Sequence, residues 1–308
     1  MRKTFLAVLA FLVLPLIASK SYDPASLDAV KLLTIDASTK EERTQIAALG
    51  ISIESVFKDH VVALAQDAEI AELVRLGLHF KARPLPAYLL DFPPEDSDFH
   101  NLSELNAELK KITETYPQIS ALSEIVHSLE GRPLYVVRIS AVPKEQEHPP
   151  AILFLGTHHA REHLSTEVPL FLIKHLVENY GKNEEITAFV NNKEIWIMPM
   201  VNPDGADYDV QDSPYKWWRK NRRGENGTTF GVDLNRNYGF KWGGEGSSDW
   251  RYSQTYRGTE PFSEPETQAI KAFVESHKNI SIILSYHSFS ELILYPWGHT
   301  YDSIEDDK

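Results

Sequence analysis

The sequence predicts an α/β protein: an open mixed sheet flanked by helices, preceded by a small ferredoxin-like βαββαβ unit. Continuous apolar runs at Ala151–Leu155, 195–200 and 280–286 lack the polar alternation of a half-exposed strand and read as strands buried on both faces. Apolar residues at helical spacing over 101–115, 167–179 and Pro265–Ser276 supply the covering layers. With 308 residues, of which 42% are hydrophobic and 24% charged, the chain has room for two ordinary domains and a sizeable core.

Taken in order, Arg2 and Lys3 precede an apolar run from Phe5 to Ile17 that ends on Ala18 and Ser19. This is the layout of a cleavable signal, so residues 1–19 are expected to be a signal peptide and the protein to be secreted or periplasmic. The run is too short to span a bilayer. Residues 20–82 form the βαββαβ unit: strands over 29–35, 51–57, 60–65 and 78–81, a helix over 40–49 closed by Gly50, and a second helix from its cap Asp67 to Gly77. Its charged residues have no metal-ligand or nucleophile spacing, so its expected task is to bind, fold or block something else. Residues 83–97 carry Pro84, Pro86, Pro93 and Pro94 among acids and read as an exposed linker. Residues 98–308 make the larger domain: a helix from Asn101, a turn over 128–133 leading into a strand over 134–139, then the three buried runs and their helices.

Thirty-one Lys and Arg against 44 Asp and Glu leave a net charge of −13, which argues against a nucleic-acid surface and favours a cationic or neutral substrate. The absence of cysteine excludes a disulfide scaffold, a Cys-ligated zinc finger, an iron–sulfur cluster and a Cys nucleophile. Any metal has to sit on His, Asp or Glu.

Each buried run ends in a polar cluster, and open α/β sheets bind ligands beyond the carboxyl ends of their strands. After Leu155 come Gly156-Thr157-His158-His159-Ala160-Arg161-Glu162-His163; after Met200, Val201-Asn202-Pro203-Asp204-Gly205; after Tyr286, His287-Ser288-Phe289-Ser290. His159 with Glu162 offers a nitrogen and an oxygen donor suited to Zn²⁺, in competition with the pairs His158–Glu162 and His159–His163. No His-Glu-x-x-His helix is present. Ser165, Thr166 and Pro169 put the start of the next helix near Glu167, so the donors sit on the preceding turn. His287 would complete a three-ligand site with an open position. Trp217-Trp218-Arg219-Lys220-Asn221-Arg222-Arg223 is a basic patch, in which Arg219, Lys220 and Arg223 read as surface salt bridges. Arg222, Asn235 and Arg236 are open between that reading and carboxylate binding.

Gly156 to Glu162 resembles the zinc-binding signature of the zinc metallocarboxypeptidases of the carboxypeptidase A type. The resemblance continues in order through Glu130-Gly131-Arg132-Pro133, Asn202-Pro203-Asp204-Gly205, Trp218-Arg219-Lys220-Asn221-Arg222, Asp233-Leu234-Asn235-Arg236-Asn237, Tyr256-Arg257-Gly258, Phe262-Ser263-Glu264-Pro265-Glu266 and His287-Ser288-Phe289-Ser290. It implies one zinc held by His159, Glu162 and His287. It also implies that Arg222 polarises the scissile carbonyl, that Asn235 and Arg236 hold a terminal carboxylate, and that Arg161 is an accessory substrate contact. The implied partner is a peptide or protein with a free C-terminal carboxylate, bound by a monomer, and residues 20–82 resemble the family's inhibitory prodomain. Two departures stand out: Phe289 occupies a position where the family generally has Tyr, and the general-base glutamate of the family is not found, Glu291 and Glu305 being the only glutamates after His287. The chain is therefore expected to be incomplete at its C-terminus. The competing readings are a non-catalytic zinc- or peptide-binding protein and a related zinc hydrolase acting on cell-wall peptides or acylated amino acids.

Overall fold

The computed structural model describes residues 30–84, 98–143, 149–211, 215–289 and 292–298. The expected signal peptide and nearly all of the expected linker lie outside the described residues.

The N-terminal unit runs β1 (Val30–Asp36), α1 (Lys40–Ala48), β2 (Ser52–Val56), β3 (His60–Gln66), α2 (Asp67–Arg75) and β4 (Phe80–Pro84), with strand order β2-β3-β1-β4 and every pair antiparallel. Alternate residues Leu33 and Ile35 of β1 and Val61, Ala63 and Ala65 of β3 face one side, where Ile46 of α1 and Leu73 of α2 close a buried core. A capping box between Thr39 and Glu42 starts α1. The start of α2 differs from the sequence expectation: the cap is Gln66, which Glu69 reaches back to bond, and Asp67 is already helical. Gly77, at φ 71°, turns the chain so that the Leu78 amide returns to the Leu73 carbonyl, and this delays β4 by two residues.

The larger part is built on a five-stranded sheet of order β11-β7-β8-β6-β5. Its strands are β5 (Ser120–His127), β6 (Pro133–Ile139), β7 (Ala151–Leu155), β8 (Glu194–Met198) and β11 (Ile280–Ser285); the remaining pair, β9 (Gly224–Glu225) and β10 (Thr228–Thr229), is a small separate hairpin. Pairing is parallel from β11 through β7 to β8 and antiparallel from β8 through β6 to β5, so the sheet is mixed. Both faces of the inner strands are covered. Val137, Ile139, Ile195 and Ile197 point to the face packed by α3 (Leu102–Thr115), α4 (Leu164–Asn179) and α5 (Glu184–Asn192). Their neighbours Val136, Trp196 and Met198, with Leu153 and Leu155, point to the other face, against Ile270 and Phe273 of α7 (Pro265–Ser276). The run at 280–286 is a strand as expected but not one buried on both faces: on the outer strand β11, Ile282, Ile283 and Leu284 are exposed.

Strand β5 and helices α5 and α6 (Pro203–Val210) have no counterpart in the sequence reading, because β5 is only half-buried and the two helices are short. Helix α4 begins at Leu164, three residues before the expected start. Pro169 sits inside it without an amide to give the Ser165 carbonyl, and that carbonyl packs on Gly156, where any Cβ would collide with it and with the Pro199 carbonyl.

Candidate metal centre

Strands β7 and β11 are paired in parallel, so their carboxyl ends deliver residues 156–163 and His287 to the same edge of the sheet. Thr157 takes a left-handed φ of 49°, and its amide is held by the Ser165 hydroxyl. Beyond this turn the two adjacent histidines diverge. His159 Nδ1 lies 2.6 Å from Glu162 Oε1, and His287 Nδ1 lies 2.8 Å from Glu162 Oε2 and 3.1 Å from His159 Nδ1. One donor atom from each of the three lies within 4.8 Å of the others. His158 and His163 are outside this triangle: His158 Nε2 meets the Tyr238 hydroxyl at 2.7 Å, and His163 Nε2 meets buried Asp209 at 2.9 Å. The three competing pairings in the sequence thus resolve to His159–Glu162.

The donor set fits zinc. Two imidazole nitrogens and a carboxylate converge, and the far nitrogen of His159 donates to Asp233 Oδ1 at 3.1 Å, which leaves the Nδ1 lone pair pointing at the cluster. Burial works against an ionised Glu162, but the neighbouring His159 and His287 outweigh it and hold the carboxyl well below its usual range. Partial desolvation also lowers the His287 pKa, favouring the neutral imidazole that a metal site needs.

Asp233 is the hub of the site, and the sequence reading gave it no separate role. Fully buried, it takes the His159 bond and the Asn235 amide on Oδ1, and the Arg219 Nε and Nη2 groups at 3.1 and 3.0 Å on Oδ2. Burial disfavours its charge, yet Arg219 and His159 keep its pKa well below the usual range. The signal was present in its placement between apolar Val232 and Leu234, since an acid in such a stretch is buried only with partners.

The arginines of the basic patch have different surroundings, and the surface reading of Arg219 is corrected. Arg222 does not join the cluster: its guanidinium lies 3.5 Å above the Tyr208 ring and 5.1 Å from that of Trp218, with Nε 3.5 Å from Glu130. Arg219, read from sequence as a surface salt bridge, is buried and brings Nη1 to 3.9 Å from Glu162 Oε1. Lys220 is likewise buried, donating to the carbonyls of Arg251 and Ser253. The irregular segment 215–223 has no fixed side-chain period, so the sequence could not tell which cations face inward. Asn235 and Arg236 lie on a 3-10 turn, Leu234–Arg236, directly after Asp233; Asn235 is exposed, and Arg236 is anchored through Nε to the Gly246 carbonyl at 2.7 Å. Arg161 is buried and pairs with Glu54 of the N-terminal unit at 2.7 Å. Glu291 and Glu305 lie outside the described residues.

The N-terminal unit meets this edge elsewhere too. The Gly50 carbonyl accepts from Ser253 Oγ and Thr255 Oγ1 at 3.1 and 2.5 Å, and Glu69 Oε1 accepts from Ser253 Oγ at 3.1 Å. Burial pushes Glu69 up to about 7 and the nearby Lys220 down to about 7.

A model of the zinc carboxypeptidase family matches residues 105–308. The chain is 32% identical to a zinc carboxypeptidase of Saccharothrix mutabilis subsp. capreolus, over 94% of this chain and 72% of that protein. It is 35% identical to carboxypeptidase O of Bos taurus and 33% identical to carboxypeptidase A1 of Rattus norvegicus, over 66% and 83% of this chain but only 53% and 58% of theirs. The crystal structure of carboxypeptidase A from Helicoverpa armigera superposes with a TM-score of 0.74 at 25% identity, covering 88% of this chain and 73% of that one. The thrombin activatable fibrinolysis inhibitor superposes at 0.69 with 28% identity, covering 90% and 76%. With its converging His159, Glu162 and His287 and a family match over most of its length, the chain belongs to the zinc carboxypeptidase family.

Proposed function

We propose that the protein hydrolyses the C-terminal peptide bond of peptides and proteins with one zinc held by His159, Glu162 and His287. The observation that carries this reading is the convergence of those three donors from two strand ends. Zinc at such a site supplies Lewis acidity toward a carbonyl oxygen and lowers the pKa of water. Asp233 orients the His159 ring, and Arg219, fixed by the same carboxylate, is the cation positioned to stabilise charge developing on the scissile carbonyl. Asn235 and Arg236 supply an amide and a guanidinium for the terminal carboxylate, which confines cleavage to the chain end. Zinc analysis together with release of the terminal amino acid from a blocked dipeptide tests the reading. One zinc per chain and no cleavage of the same peptide with an amidated terminus are expected. Failure to bind zinc, or equal cleavage of the amide, would overturn it.

In the same reading the N-terminal unit is an inhibitory prodomain of an exported enzyme. Glu54 occupies Arg161, a proposed substrate contact, in a pair whose side chains are 3% and 4% exposed. The signal-like residues 1–19 support export, and no helix among the described residues is long and apolar enough to cross a membrane. Limited proteolysis within 85–97 should raise peptidase activity; unchanged activity would sink the prodomain role.

A further inference from the structure

The metal-ligand reading leaves one buried polar group beside the cluster without a task. His158 is 2% exposed, touches none of the ligand atoms with its nitrogens, and sits in a row of hydrogen bonds that ends on a ligand. Its Nε2 meets the Tyr238 hydroxyl at 2.7 Å, and its Nδ1 meets Ser285 Oγ at 3.2 Å. Ser285 Oγ in turn lies 3.2 Å from His287 Nε2. The His158 and His287 rings are stacked with centroids 5.7 Å apart and planes 25° apart. Tyr238 is held from behind by an edge contact with Phe262, centroids 5.9 Å apart.

We propose that the Tyr238–His158–Ser285 chain is a positioning device that fixes the tautomer and rotation of His287, so that its Nδ1 faces His159 and Glu162. The inference rests on the metal-ligand reading of His287. If Nδ1 ligates, the ring proton resides on Nε2, and Ser285 Oγ is the acceptor in place for it. The serine then gives its own proton to His158 Nδ1, and His158 Nε2–H donates to the Tyr238 oxygen. Ser285 and His158 each act once as donor and once as acceptor, so the tautomer of each imidazole follows from the next partner along. His159 receives the equivalent service from the Asp233 carboxylate, whereas His287 obtains it from a neutral relay. The sequence carries the device in the doubled His158-His159, in Ser285 two residues before His287, and in Tyr238 immediately after the Asp233–Asn237 motif.

Zinc affinity of the full chain, measured by competition with a chromogenic chelator, tests the proposal without recourse to activity. Ser285→Ala should weaken zinc binding by about 10-fold to 100-fold, the usual cost of removing an outer-shell partner. Ser285→Thr, which keeps the hydroxyl, should restore it. Tyr238→Phe, which deletes one oxygen at the far end while keeping the ring, should weaken binding less than Ser285→Ala, and the visible spectrum of the Co²⁺-substituted protein should shift in both. A purely structural role would lower thermal stability in Ser285→Ala and Ser285→Thr alike without separating their zinc affinities. Wild-type zinc affinity in both Ser285→Ala and Tyr238→Phe would overturn the relay. Absence of zinc binding by the wild-type chain would instead overturn the ligand reading on which it rests.

Discussion

Replacing Glu54 by alanine strands the Arg161 guanidinium in a closed interface. The 2.7 Å pair is almost fully buried, and breaking such a pair by removing one partner costs about 3–5 kcal/mol because the other charge stays dehydrated. Arg161 retains the Ser52 hydroxyl and the Gln254 carbonyl oxygen, each at 3.4 Å, and the Trp217 ring at 5.8 Å, which favours the lower end, about 3 kcal/mol. Arg161→Ala should cost less, about 2 kcal/mol, since Glu54 keeps a 2.6 Å bond from Ser52. The double variant should cost less than the sum, with a coupling of about 2 kcal/mol. Hydrogen exchange of the full chain reads these numbers at the Ser248 and Thr255 amides, which bond to the Thr255 carbonyl and Ser253 hydroxyl beneath Gly50. If the unit must lift away for exchange, Glu54→Ala speeds them by about 150-fold, at 1.36 kcal/mol per factor of ten. A coupling below about 0.5 kcal/mol, or unchanged exchange in Glu54→Ala, would refute the claim that this pair holds the unit in place.

The two arginines of the basic patch should separate. Arg219→Ala should reduce kcat by about 10² to 10³ with a smaller change in KM, whereas Arg222→Ala should act mainly on melting temperature, through its lost stacking on Tyr208; the reverse pattern in steady-state kinetics and thermal melts would restore the sequence-based assignment. His159→Ala and His287→Ala should each abolish stoichiometric zinc, and retention in both by metal analysis would refute the ligand set. Burial raises the Glu69 pKa from 4.5 to about 7, so its stabilising contribution is complete below about 4.5 and lost as pH rises through about 7. Lys220, lowered to about 7 by burial, adds stability in the opposite direction as pH rises from there toward 10.5. Glu69→Gln should therefore gain stability on the wild type between pH 5 and pH 8 in urea titrations, and a constant difference would contradict the burial argument. Gly156→Ala should destabilise by about 1–3 kcal/mol or more, read as a fall in melting temperature, because the carbonyls of Ser165 and Pro199 leave no room for a methyl group.

The inner strands and the long helices were legible because burial leaves a period in the residues themselves: β7 and α7 fall where the apolar runs and helical spacing put them, whereas the apolar run of β11 gave the strand but not its exposure. Strand β5 escaped because a half-exposed strand near the sheet margin mixes Ser, Glu and His with its apolar residues. The candidate metal ligands were legible as residue types at strand ends, since zinc without cysteine needs His and carboxylate donors and parallel strands deliver their ends to one edge. Tertiary structure alone decided which neighbour does what. Arg219 and Arg222 are three residues apart in an irregular segment, and only the position of Asp233 draws one to the cluster while Tyr208 takes the other. His158 and His159 are adjacent, and the left-handed turn at Thr157 sends one toward Tyr238 and the other toward Glu162. Periodicity and residue chemistry are properties of a segment, whereas the direction of a side chain in an irregular loop depends on partners contributed from tens of residues away.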